Sequence, residues 1–220
     1  MKKVLINIFL FAAVFSLGHL AAAQAGSSSL DDQLLEAART GDSATVQQLL
    51  DKGANIEARD QFHFTALIKA IGPGKIDTVK LLLARGANID AKGLNDFTVL
   101  MSAAVEGDTE IVKLLLDKGA NIEARDADDW TALIHAASQG KTEVVKMLLE
   151  KGANIEARTN NGKTALIMAA SLGKTEVVRL LLEKGANIDA KDNKGETALT
   201  LAVSKGKTDV VKLLQDHGAH

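Results

Sequence analysis

The 220-residue sequence has no cysteine and no tyrosine, one proline, one tryptophan, and an aromatic content of only 3%. Without thiols there is no disulfide, no cysteine nucleophile and no cysteine-ligated zinc, nor an acylated cysteine to anchor the chain in lipid. Packing alone must hold the fold. Charge of either sign is also not in excess: 26 basic residues stand against 28 acidic ones, a net charge of −2. The basic residues are interleaved with acids, which excludes the basic stripe of a nucleic-acid binder. After the first 25 residues, no apolar run is long enough to span a membrane.

Those first residues differ in kind. Lys2 and Lys3 precede Val4–Leu17, an apolar run broken only by Asn7 and Ser16, and Ala23 and Ala25 follow in the A-x-A arrangement of a cleavage site. Residues 1–25 are thus expected to be a secretory signal peptide, cleaved after Ala25. The product would carry 24 basic and 28 acidic residues, begin with a flexible leader at 26–29, and have no membrane segment. A short signal with a Lys-Lys start points to the periplasm of a Gram-negative cell or to secretion.

Three series of residues share one period in what remains. "GAN" begins at Gly53, Gly86, Gly119, Gly152 and Gly185 and "GAH" at Gly218; a second glycine series runs from Gly41 to Gly206; a third is Thr65, Thr98, Thr131, Thr164 and Thr197; each interval is 33 residues. Self-similarity at a fixed period marks a stacked repeat. In each unit the Thr hydroxyl can cap an Ala/Leu-rich helix. A glycine ends that helix, a second amphipathic helix follows, and another glycine terminates it. A Lys or Arg before that glycine offsets the helix dipole.

By period and by the "TALI", "TVLM" and "TALT" segments, residues 30–220 resemble the ankyrin repeat family. The resemblance implies an all-α solenoid of stacked helix-turn-helix pairs with short hairpin fingers. Its six units are 30–58 (N-capping), 59–91, 92–124, 125–157, 158–190 and 191–220 (C-capping). Alanine or valine stands where the family usually has a proline, and Ile, Met or Thr replaces its histidine. Pro73, in "GPG", is expected to stiffen the turn between two helices. Gln48 and Gln215 replace stacking leucines in the end units, as a finite stack requires, and capped ends point to a monomer.

No catalytic constellation, cofactor motif or metal-ligand spacing is found. Four histidines follow residue 25, too scattered for a metal site. The periodic carboxylates Glu57, Asp90, Glu123, Glu156 and Asp189 serve the repeat itself as solvated or loop-fixing groups. An enzyme is not expected.

The resemblance instead implies protein binding by the fingers and the exposed side of the first helix. One residue before each Thr stand Phe64, Phe97, Trp130, Lys163 and Glu196, with Phe62 close to the first. This aromatic row is expected to be exposed and to anchor a protein partner along the concave groove. The alternative is that the rings stack and stiffen the fingers. Asp96, Asp128 and Asp129 flank the row, suggesting an apolar target segment with some positive charge. His135 and Met168 belong to a first-helix series with Lys69, Ser102 and Leu201, and Ser138 and Gln139 lie at a helix end nearby. His63, Asp96 and Asp129 stand where later fingers have Gly162 and Gly195, so distorted turns are expected there. A secreted effector acting on host proteins, and a ligand receptor or enzyme modulator, are the alternatives to a periplasmic binding module.

Overall fold

The computed structural model describes residues 28–220. The expected signal peptide and the first two residues of the expected leader lie outside them. Ser29, at the end of the expected leader, caps the first helix: its hydroxyl accepts the Asp32 N–H while the Asp32 carboxylate accepts the Ser29 N–H. The fold is all-helical. Among the described residues twelve α-helices form six pairs: α1 (Leu30–Thr40) with α2 (Ser43–Asp51), α3 (Ala66–Lys69) with α4 (Ile76–Ala84), α5 (Val99–Glu106) with α6 (Thr109–Asp117), α7 (Ala132–Gln139) with α8 (Thr142–Glu150), α9 (Ala165–Leu172) with α10 (Thr175–Glu183), and α11 (Ala198–Ser204) with α12 (Thr208–Asp216).

The threonine series starts the inner helices. Thr65, Thr98, Thr131, Thr164 and Thr197 each accept the N–H three residues on, at 3.2–3.5 Å. The glycine series ends the outer helices. Gly53, at φ 92°, lets its own N–H reach Leu50 O and the Ala54 N–H reach Leu49 O, and later units repeat the motif. Pro73 does more than stiffen a turn. Lacking an N–H and disfavouring helix in the residue before it, it confines α3 to four residues, with Gly72 at φ 147°.

The inner helices meet through alanines such as Ala103, Ala104, Ala136 and Ala137, all fully buried. The outer helices bury Val and Leu and pack less closely than the inner ones from α5 onward. At the two ends, Gln48 and Gln215 are exposed.

The finger row as candidate functional site

Five fingers, at 59–65, 92–98, 125–131, 158–164 and 191–197, precede α3, α5, α7, α9 and α11. Each closes with one backbone bond at its base, such as Asp126 N to Trp130 O at 3.1 Å. Each is also tied to the next at its tip: Leu94 N donates to Phe62 O, Ala127 N to Asn95 O, Asn160 N to Asp128 O, and Asn193 N to Asn161 O, at 2.9–3.0 Å. The fingers are one backbone-linked row.

Two of the periodic charge series join this row. Arg59, Arg125 and Arg158 each donate Nη1 both to a carbonyl of their own finger and to a carbonyl 33 residues on. Glu57, Asp90, Glu123 and Glu156 each accept the backbone N–H of the next unit's asparagine, 31 residues on, at 2.7–2.9 Å. The carboxylates are therefore loop-fixing, and these arginines are structural stitches.

Inside the fingers a second brace occurs in alternate units. Asp60, Asp126 and Asp192 each accept two finger N–H groups on Oδ1. Each turns Oδ2 toward a basic nitrogen: Lys69 Nζ at 2.7 Å, His135 Nε2 at 2.9 Å, and Lys163 Nζ at 3.3 Å, respectively. Burial by itself would push the Asp192 carboxyl up; the Glu196 and Lys194 N–H groups and the Lys163 ammonium outweigh it and hold the group below the usual carboxylate range. Thr159 substitutes with a hydroxyl that accepts the Lys163 N–H. Gly93 has no brace because the Phe64 ring takes that space: a Cβ on Gly93 would lie 2.3 Å from Phe64 Cδ1.

The aromatic row is not exposed. Phe64, Phe97 and Trp130 retain 6%, 5% and 8% of their accessible surface. Phe64 lies on Gly93, while Phe97 and Trp130 flank the His135 imidazole with centroids 5.0 and 4.9 Å away. Phe64 and Phe97 reach into the next unit and Trp130 lies against the His135 ring of its own unit, so these three rings cannot serve as open anchors. Phe62 is half-buried beside Phe64. Met168 is likewise buried, and so is Ser138, whose hydroxyl donates to His135 O at 2.8 Å. Gln139 and His135 stay partly accessible beside the groove.

Open surface belongs to the tips. Asp96, Asp128 and Asp129 are exposed, as is Leu94, a residue that periodicity alone does not single out because its equivalents are Gln61, Ala127 and asparagines. Lys92 and Arg125 come only to 3.7 and 4.0 Å from Asp96 and Asp129. The expected turn distortion is confined to one finger. His63 and Asp129 adopt the left-handed conformation (φ 60° and 61°) of Gly162 and Gly195 (φ 77° each) within the same base and tip bonds. The third unit, without an Asp brace, instead forms a 3-10 turn at Leu94–Asp96 with both Asn95 and Asp96 left-handed.

No buried side-chain polar atom among the described residues lacks a hydrogen-bond partner. The row is internally complete.

The family model for ankyrin repeats (3 copies) matches residues 34–126, 89–159, 123–192 and 155–220. The chain belongs to the ankyrin repeat family. Its structure is similar to the crystal structure of an ankyrin repeat domain from Acinetobacter baumannii AYE, with 33% identity and a TM-score of 0.74 over 85% of this chain and 98% of that one. A search of curated proteins finds no match. Ankyrin repeats are generally protein–protein interaction modules, and the fold is typically non-catalytic.

Proposed function

We propose that this ankyrin repeat chain is an exported, non-catalytic protein-binding module of the periplasm, whose partner meets the finger tips of the third and fourth units and the adjoining groove. One observation carries the reading. A row stitched by backbone bonds presents Leu94, Asp96, Asp128 and Asp129 to solvent at the tips of the third and fourth fingers, while the rings before the cap threonines are buried. A rigid row loses little entropy on docking. Its surface fits an apolar segment flanked by Lys or Arg, and acids at the rim favour the encounter. The N-terminal Lys2–Ala25 pattern supports export.

The test is affinity capture from periplasmic extract with two baits: the native protein and a Leu94→Ser/Asp96→Asn/Asp128→Asn/Asp129→Asn variant of unchanged helicity. A protein held by the first and lost by the second supports the tips as the site. Identical capture by both baits contradicts it. Fractionation with mass measurement checks the address: a periplasmic product starting at Gly26 is expected. An intact cytoplasmic chain contradicts export, and product only in the medium moves the partner outside the cell.

A further inference from the structure

The alternate-unit brace is built three times, and two of its copies use a lysine. The Asp60 and Asp192 carboxylates meet Lys69 and Lys163, whereas Asp126 meets His135, 2.9 Å from its Oδ2. Lysine stays charged through the neutral range, but imidazole is the side chain whose charge changes between about pH 5 and 8. We propose that His135 is a proton-operated latch on the fourth finger, clamping it as imidazolium and loosening it on deprotonation.

The geometry gives the sign. Asp126 Oδ1 already accepts the Asp128 and Trp130 N–H groups at 2.9 and 2.8 Å, so this carboxylate holds the finger's backbone. An imidazolium donates to Oδ2 as half of an ion pair. A neutral imidazole donates, at best, an uncharged hydrogen bond of about half the strength. The Trp130 face beside the ring also favours a cation. The clamp is therefore set at low pH and released as pH rises.

Among the described residues, the charges around this finger are held elsewhere or exposed, Arg158 Nη1 on the Gly162 and Lys191 carbonyls included. From the third finger, Lys92 and Asp96 lie nearest each other, at 3.7 Å. On the fourth finger, Arg125 Nη1 is held by the Asp129 and Arg158 carbonyls, and Asp128 and Asp129 are exposed. From the fifth finger, Lys163 is drawn to Asp192. Among the packed helices α5 carries only the exposed Glu106, α9 has no titratable residue, and α8 keeps Glu143, Lys146 and Glu150 exposed on its outer side. The latch concerns the finger's own order, so it stands whether or not the tips are the binding face.

Trp130 is the chain's single tryptophan, 4.9 Å from His135, and a protonated imidazole against an indole quenches its emission. The experiment titrates the fluorescence of the native protein, His135→Gln and His135→Lys from pH 5 to 8.5, with hydrogen exchange of the Asp128 and Trp130 amides at both ends. The native protein should brighten in one transition that is absent from both variants. Relative to His135→Lys at the same pH, its two amides should exchange equally at pH 5 and about fivefold faster at pH 8.5, the scale of one lost half-buried ion pair. A transition that persists in His135→Gln, or amides that match His135→Lys at both ends, overturns the latch.

Discussion

The fingers of units two to four and those of units five and six make the same base and tip bonds with opposite side-chain chemistry. The first group sets Phe64, Phe97 and Trp130 before the cap threonine and places His63, Asp96 and Asp129 in the left-handed position. The second group has Lys163 and Glu196, then Gly162 and Gly195. Ring burial, added to the Asp60 and Asp126 braces, holds one group; the Lys163–Asp192 pair and relaxed glycine turns hold the other. A finger is thus a backbone device that either kind of filling can support. Variation in this register does not by itself mark a contact surface.

The largest expected effect separates the two fillings. Phe97→Ala and Trp130→Ala should each cost about 3–4 kcal/mol in urea unfolding, whereas Lys163→Ala should cost less than about 1 kcal/mol, because its ammonium remains partly solvated. Equal losses would erase the distinction. Next comes the Phe64–Gly93 contact. Gly93→Ala should destabilise by about 2 kcal/mol through overpacking, yet cost little in a Phe64→Ala background. A double-mutant cycle checks this, and additive losses would mean that the ring does not occupy the glycine's place.

Turn strain sharpens the comparison on a smaller scale. Gly162→Ala should lose about 1–2 kcal/mol, because its φ of 77° is costly for an L-residue and its Cβ would meet Asn193. His63→Gly should stabilise the fold slightly, by about 0.5 kcal/mol in urea unfolding, since relief of strain exceeds glycine's entropic cost only narrowly. The smallest effect is in acid. The Asp192 carboxyl is held low in the folded state, so its contribution is complete above its unfolded pKa and is lost as pH falls through the folded one. Asp192→Asn should therefore flatten the acid limb of stability below about pH 4, measured by urea unfolding at successive pH values. An unchanged limb would show that this carboxylate is not clamped.

The period, the cap threonines and the terminating glycines made the fold legible, because backbone requirements recur identically in every unit. The loop-fixing role of Glu57, Glu123 and Glu156 was legible for the same reason. The direction of the rings was not. A residue before a cap can point to solvent or into the next unit, and only the space left by Gly93 and the placement of His135 decide it. The aspartate brace had a readable signal, with Asp60 and Asp126 each nine residues before Lys69 and His135. Leu94 had none in its register. The four-residue α3 follows from Pro73, whose effect reaches back into the preceding helix as well as into its own turn.

The aromatic row is internal packing. Quenching of Trp130 emission by iodide and acrylamide at neutral pH tests it most directly. A blue-shifted emission that resists iodide is expected, becoming red-shifted and quenchable only on unfolding. Emission that is already water-like and freely quenched in the folded protein would return the rings to the surface and contradict the account.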